Sequence, residues 1–558
     1  MQRYKLVFGF ALSILTTCAE TETEEAANTC SHDYDCAVNY VCDHNTDPAV
    51  CKKVDATTIR TFGEVDLDFT DEDAVYLLSV VAIPDGAEAI SSSYIPFSLK
   101  GAGGDQSALK ISPLSSPINS KLSPAMYKRF ALDKMRHART MQIARNYVSG
   151  VYTAPKKASV SSCSEDCGTD KMCWKGECTA APHVNFLNAN TPITCSLAEV
   201  VTAGKTKINV VVDSALTTGQ QSDAVAAVKE FAKTLTNELS LLGRANGHVD
   251  PLDRDGDGRF TVVFTNRTTS TVTMDMVGFF NPDDFLDAEL DDATGNAADI
   301  LWARATDEIT PELIAGTLTH EYQHLVNFAV RVQGRGDKAQ PEALWLDEGL
   351  AHLMEDLNGW GASNIGTVAL ALSGWNAGSL ALSGSLLKTA NADQQQRGKA
   401  FLLLRHLRDR RGSNSFIADL LNEDAAGLEH NMFAKGAIVQ MLQQLQLAVY
   451  ATGNEDISLD TAHAYDFAKT STSSDTSQKM GINTHDTYTD ARGEDVTLEG
   501  PEDIIEVDVS DDTESLTSAE IIPSGTLLFL VTGGTEAINL QGTATADADL
   551  HVSVTRVQ

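Results

Sequence analysis

The pentapeptide His320-Glu321-Tyr322-Gln323-His324 is the part of this chain whose residue types and spacing most directly suggest chemistry. On a helix, His320 and His324 lie one turn apart and send both imidazoles off the same face. Two neutral nitrogens at that spacing can grip one Zn²⁺, and a carboxylate from another segment can complete a three-ligand site with one position open. Glu348, in the run Trp-Leu-Asp-Glu-Gly-Leu-Ala, is the candidate carboxylate. Glu321, between the histidines, is placed to accept a proton from a water activated by the metal. If His320 and His324 were ordinary helix histidines and Glu348 a solvated acid, that reading would have to explain three coincidences at once.

Two helices must position these groups. Thr310-Pro311-Glu312 is a helix start, with Thr310 as N-cap, Pro311 at the first helical position and Glu312 at the positive end of the dipole. Leu313, Ile314, Leu318, Leu325 and Phe328 give this helix an apolar surface, and Gly334 and Gly336 end it. Pro341 is expected to open a second helix running to about Asn358-Gly359, with Glu348 in its middle. A carboxylate among Trp345, Leu346, Leu350, Leu353 and Met354 is costly to bury without a partner, and a metal is such a partner.

These residues resemble the gluzincins, zinc metallopeptidases with two His from H-E-x-x-H and a downstream Glu. HEYQHLVNF from His320 to Phe328, followed by WLDEGLA from Trp345 to Ala351, is most similar to the hyicolysin family of secreted bacterial peptidases. Gly278-Phe279-Phe280 with Asp283 and Asp284, Gly295-Asn296, and Asp299 to Trp302 extend the likeness, which covers roughly residues 195–450. It implies one catalytic Zn²⁺ held by His320, His324 and Glu348, with Glu321 as general base. Glu355, seven residues past Glu348, fits a carboxylate that orients a ligand imidazole, or else a surface acid. His352, four residues past Glu348, is near the site by helix geometry or a packed polar residue.

The family pattern carries a Tyr just before the glycine of Arg397-Gly398, and this chain has Arg397. Tyr322, His352, His406, Tyr450, His463 and Tyr465 are the remaining candidates to stabilise an oxyanion, and sequence does not choose among them. There is no G-x-M-E-N segment, the amine-anchoring signature of gluzincin aminopeptidases, which favours an endopeptidase. An aminopeptidase and a non-catalytic surface adhesion protein on a zincin scaffold are the rival readings.

The chain has 558 residues, long enough for several modules, and 77 acidic against 42 basic residues give a net charge of -35. Such a chain repels nucleic acid and anionic membrane surfaces; the charge suits solubility. Protein or peptide is the expected partner. Arg3 and Lys5 followed by Leu6 to Leu15 read as a signal sequence too short to span a bilayer. Ile14-Leu15-Thr16-Thr17-Cys18 resembles a bacterial lipobox with Cys18 as the lipidated residue, and cleavage after Ala19 competes with that reading. The protein is therefore expected to be exported, at the bacterial cell envelope or secreted, touching membrane only through such an anchor.

All ten Cys lie in the first 195 residues. Cys30, Cys36, Cys42 and Cys51, and again Cys163, Cys167, Cys173 and Cys178, read as two disulfide modules with two bridges each. If Cys18 is acylated, Cys195 is left unpaired. The expected architecture is multidomain α+β. A zincin-like catalytic domain, with a twisted sheet, an active-site helix and a helical second lobe, is flanked by disulfide-rich modules and small β domains. The boundaries are a signal peptide 1–18, an acidic tether 19–29, a Cys-rich module 30–53 and a small β domain 58–112. A basic helical linker or pro-region 113–160 and a second Cys-rich module 161–180 precede the metallopeptidase domain 195–455, a linker 456–500 and a C-terminal β domain 501–558. In the basic stretch Lys121, Lys128, Arg129, Lys134, Arg136, Arg139 and Arg145 are opposed only by Asp133, so it reads as a helix laid on the acidic catalytic domain or as a solvated linker. Asn296 to Arg304 is the candidate edge strand for pairing with extended substrate. Asp253, Asp255 and Asp257 match the start of a Ca²⁺ loop, but Phe264 stands where an EF-hand needs Glu, so a plain Asp/Gly turn is the alternative.

Overall fold

The computed structural model describes residues 40–43, 50–53, parts of 56–110, 124–152 and, with short gaps, 167–286, 295–373, 394–454 and 471–556. The chain divides into a unit over Met1–Lys53 and a unit over Val54–Gln558. In the first, Tyr40–Asp43 and Val50–Lys53 pair antiparallel with Cys42 opposite Cys51. Cys18, Cys30 and Cys36 lie outside the described residues.

The second unit is mixed α+β. The part that carries the candidate site is built on a six-stranded sheet of β1 (His183–Val184), β2 (Ile193–Ala203), β3 (Thr206–Asp213), β4 (Arg259–Phe264), β5 (Gly278–Phe280) and β6 (Ile300–Ala303), in the order β1-β2-β3-β4-β6-β5. β3, β4 and β6 run parallel, whereas β1, β2 and β5 join their neighbours antiparallel. The parallel strands are almost wholly buried, which explains their apolar runs, such as Val210 to Val212 and Val262 to Phe264. The expected edge strand is corrected here. β6, inside Asn296 to Arg304, is paired on both sides, and the edge is β5. A three-residue run with Gly278 in it carries too little strand pattern to be found by periodicity.

The helices are α1 (Pro124–Val148), α2 (Thr218–Leu241), α3 (Pro311–Phe328), α4 (Leu344–Leu357), α5 (Ile365–Ser373), α6 (Gln394–Arg411), α7 (Ser415–Asn422) and α8 (Lys435–Ala451). Thr217 and Gln220 close a capping box at the start of α2, and Thr310 caps α3, its hydroxyl accepting from the Leu313 N–H. α2 and α3 cover one face of the sheet through Phe231, Leu235, Leu318, Tyr322 and Leu325. The other face is covered by Met172, Trp174, Phe186 and Leu132, the last from α1. α4 starts at Leu344, three residues later than Pro341 implies, because Ala343 stays extended and buried Glu342 binds the Ala343 and Gly427 N–H groups and His430. It ends with Asn358 as cap and Gly359 at φ 88°, a conformation that favours glycine.

The two β segments expected as separate domains interleave. Ala56–Thr61, Tyr76–Pro84, Ile505–Asp508, Thr526–Thr532 and Ala548–Arg556 form one five-stranded sheet, and a second contains Gly63–Leu67, Ile95–Gly101, Ala108–Lys110, Leu516–Ile521 and Ile538–Gly542. Tyr76–Pro84 takes both neighbours from the C-terminal segment, so neither segment completes a sheet alone. Leu77, Val81 and Leu528 join the core of the helical lobe, and Ser79 Oγ donates to Gln446 Oε1 on α8 at 2.6 Å. Part of the expected linker is also docked: Ile482 and Leu498 are buried, and the Thr484 hydroxyl bonds the Val449 and Thr452 carbonyls. The second Cys cluster is not a free-standing module. Cys167 bonds Cys178 and Cys173 is also disulfide-bonded, while Met172 and Trp174 of the same hairpin pack into the core of the six-stranded sheet. Cys195 is a free thiol buried on β2, where burial pushes it up to about 12. Among the described residues, no helix is long and apolar enough to cross a membrane.

Candidate metal centre

The geometry begins with α3, whose residues from Ile314 to Phe328 are all buried. His320 and His324 leave it on one face with ring centroids 4.8 Å apart. α4 crosses beside it and brings Glu348 under both rings, with His320 Nε2 3.5 Å and His324 Nε2 3.8 Å from the Glu348 oxygens. These three side chains are fully buried, and ligand atoms from all three lie within 4.8 Å of one another.

Each imidazole is held from behind by a carboxylate. His320 Nδ1 is 2.5 Å from Glu355 Oε1, one helical repeat beyond Glu348 on α4. His324 Nδ1 is 2.9 Å from Asp347 Oδ2, and the Asn327 amide holds the other Asp347 oxygen. At His320 a proton held on Nδ1 by Glu355 leaves Nε2 with its lone pair free, as a ligand requires, whereas His324 Nδ1 faces Asp347 at ion-pair distance without a hydrogen bond. Both Nε2 atoms are buried and make no hydrogen bond to any described residue, a costly state unless another group binds them. Two nitrogens, one carboxylate and two rear carboxylates therefore fit Zn²⁺.

Charge in the pocket is dense. Burial opposes ionisation of Glu348, yet Arg397, Arg136 and His324 hold its carboxyl well below the usual range. Burial works against a proton on His320, but Glu348 and Glu355 outweigh it and raise the ring to about 9. Glu355 goes down to about 2 against the cost of burial because His320 and His352 favour its anion.

Glu321 turns to the sheet side of the ligands. The Phe280 N–H on edge strand β5 donates to Glu321 Oε2 at 2.9 Å, fixing the carboxylate beside the strand. His352 lies 4.7 Å from the His320 ring, with Nδ1 2.8 Å from Asn364 Oδ1 and 3.2 Å from Glu355. Tyr322 points the other way. Its hydroxyl meets His248 Nδ1 at 2.9 Å, and His248 Nε2 meets Asp299 at 2.5 Å, so this tyrosine belongs to the sheet-facing core. His406 is buried on α6 and Tyr450 is half-buried on α8, while His463 and Tyr465 lie outside the described residues.

Three site residues were not assigned a place there by sequence. Asp347 stood beside Glu348 unremarked. Arg397 reaches the site because Gly349 lets α6 approach α4: a Cβ at Gly349 would lie 3.0 Å from Ala400 Cβ. Its Nη1 is then 3.0 Å from Glu348. Arg136 comes from α1, the basic stretch, and bonds Glu348 through Nη2 with Nη1 3.4 Å from Glu321.

Asp253, Asp255 and Asp257 do cluster, but their oxygens accept from the N–H groups of Gly256, Gly258, Asp257 and Arg259. That is an Asp/Gly turn in which Asp257 Oδ2 alone stays buried without a hydrogen bond, and calcium has no support beyond the cluster itself.

No protein-family profile matches the chain, and no curated protein matches it significantly. Among solved structures, an aminopeptidase N family protein from Idiomarina loihiensis is similar at 12% identity over 64% of this chain and 68% of that one, with a TM-score of 0.30. A two-domain M1 zinc metallopeptidase, in a mutant form bound to L-arginine, is similar at 13% identity over 48% of this chain and 60% of that one, with a TM-score of 0.25. Superposition at that level carries no inference about this chain.

Proposed function

We propose that this protein is an exported zinc-dependent metalloendopeptidase. The observation that carries the reading is the convergence of the His320 and His324 Nε2 atoms and Glu348, with a carboxylate behind each ring and Glu321 alongside. His320, His324 and Glu348 would hold Zn²⁺, which when bound supplies Lewis-acid polarisation of a carbonyl and acidifies water. Glu321 accepts the proton of the attacking water and delivers it to the leaving nitrogen. The Phe280 N–H, donating to Oε2, orients that carboxylate beside the ligands. Extended substrate pairs along the outer edge of β5, which has no strand partner among the described residues. Arg397 is the cationic donor that the helical lobe sets beside the ligand carboxylate, in the place where the hyicolysin-like pattern carries Tyr.

Endopeptidase is preferred over aminopeptidase because the G-x-M-E-N anchor is absent from the sequence. Matched peptides with free and with acetylated N-termini test this: an endopeptidase cleaves both at internal bonds, and an aminopeptidase only the free one.

A further inference from the structure

The unabsorbed feature is α1. A basic helix in a chain of net charge -35 has many acidic surfaces to lie on, yet it lies on this one. Leu132, Ile143, Ala144 and Tyr147 seat it in the core, and it packs against the 3-10 helix Pro282–Phe285 and the π-helical turn Ala329–Gln333 that follows α3. Between those apolar anchors, three polar residues spaced by three span the site. Asp133 binds Arg397 on α6, Arg136 binds Glu348 and approaches Glu321, and Arg139 Nε meets Asp283 Oδ1 at 2.7 Å just past β5. The helix thus touches both walls and the floor. His137 and Thr140, with Phe280, His324 and Asn327, line the narrow cavity that remains beside it.

We propose that α1 is an autoinhibitory helix, with Arg136 as a plug that must leave before substrate reaches the metal centre. This rests on the peptidase reading above. Besides Asp133 on its own helix, Arg136 engages the two groups that reaction needs free: one oxygen of the base and one oxygen of the ligand carboxylate. A guanidinium carries five donors and no lone pair, so it cannot ligate a metal or accept the water's proton. It satisfies both acids while excluding a peptide bond from between them. A helix that only braced the two lobes would need Asp133 and Arg139 at the rims; it would have no need of a buried cation on Glu321 and Glu348.

The test uses the full chain as wild type, Arg136→Ala, Arg139→Ala and the double variant, each loaded with zinc. Three quantities are read: cleavage of an internally quenched peptide blocked at both ends, hydrogen exchange of the α1 amides, and zinc affinity by chelator competition. Each single variant is expected to raise kcat/KM at least tenfold. A peptidyl hydroxamate, which seeks the metal and the substrate path, is expected to speed α1 exchange at least tenfold in the wild type. Arg139→Ala keeps the test decisive should Arg136→Ala, which takes one cation away from two buried acids, fail to fold. If no variant cleaves but the hydroxamate still loosens α1, the plug stands and the peptidase reading falls. If the wild type cleaves as fast as Arg139→Ala, or the hydroxamate leaves α1 exchange unchanged, the plug is refuted and the peptidase reading is judged on its own.

Discussion

Removing the carboxylate behind His320 should weaken the metal site without dismantling the fold. Glu355 is fully buried and its carboxyl goes down from 4.5 to about 2, so the fold favours its anion by roughly 3 kcal/mol. That figure is the ceiling on what it contributes when His320 and His352 are both able to carry charge. With zinc bound, His320 is neutral, and what remains is one charge-assisted hydrogen bond at 2.5 Å. Glu355→Gln keeps an acceptor but loses the charge, and about 1.4 kcal/mol, or about tenfold in zinc affinity, is the expected cost. Glu355→Ala also strands the His320 Nδ1–H, and about 100-fold is expected. Because the folded carboxyl is depressed, its stabilising effect is fully present above 4.5 and is lost only as pH falls through about 2, so measurements at neutral pH compare like with like. The assay is competition with a fluorescent chelator, paired with a denaturant midpoint to confirm folding. If folded Glu355→Ala binds zinc within about twofold of wild type, the reasoning that the rear carboxylate sets the imidazole is wrong.

Three further outcomes are expected. Gly349→Ala places a Cβ 3.0 Å from Ala400 Cβ and 3.2 Å from the Ala400 carbonyl carbon, which cannot yield without moving α6. Even after the helix-propensity gain, it should cost about 1–2 kcal/mol by denaturation and lower zinc affinity, since Glu348 is the adjacent residue. Arg405 is buried against Asp356 with Asp409 at 3.0 Å, so Arg405→Met should cost about 3–5 kcal/mol by stranding Asp356, whereas Arg405→Met with Asp356→Asn should recover much of it. Burial raises Asp284 to about 7 despite hydrogen bonds from Trp302 and Asn296. A raised folded carboxyl stabilises most when both states are protonated, and that contribution declines as pH rises from 3.8 to about 7. Unfolding midpoints of Asp284→Asn, subtracted from wild type across that window, should show a wild-type-specific decline and none above it.

The grouping of His320, His324 and Glu348 was legible from sequence because helix periodicity and a capped start put both histidines on one face of α3, and a buried carboxylate on the next helix demanded a partner. Glu355 was reachable by the same arithmetic, seven residues on. Arg136 and Arg397 were not, since no local pattern says that a helix 185 residues away in sequence from Glu321 will lie across it. β5 was missed because three residues are too few to show alternation. The two interleaved sheets were read as two domains because their strand pairs join residues such as Leu77 and Leu530, which no local signal links. The same holds for Pro341, a good helix opener overruled by the use of Glu342 to bind Gly427 and His430.

The central claim is that His320, His324 and Glu348 hold a zinc ion that works with Glu321. The most direct measurement compares Arg136→Ala with Arg136→Ala/Glu321→Gln for zinc content and casein cleavage side by side. The account predicts about one zinc per chain in both, and chelator-sensitive cleavage only where Glu321 remains. Absence of zinc from both chains, or equal cleavage by the two, would contradict it.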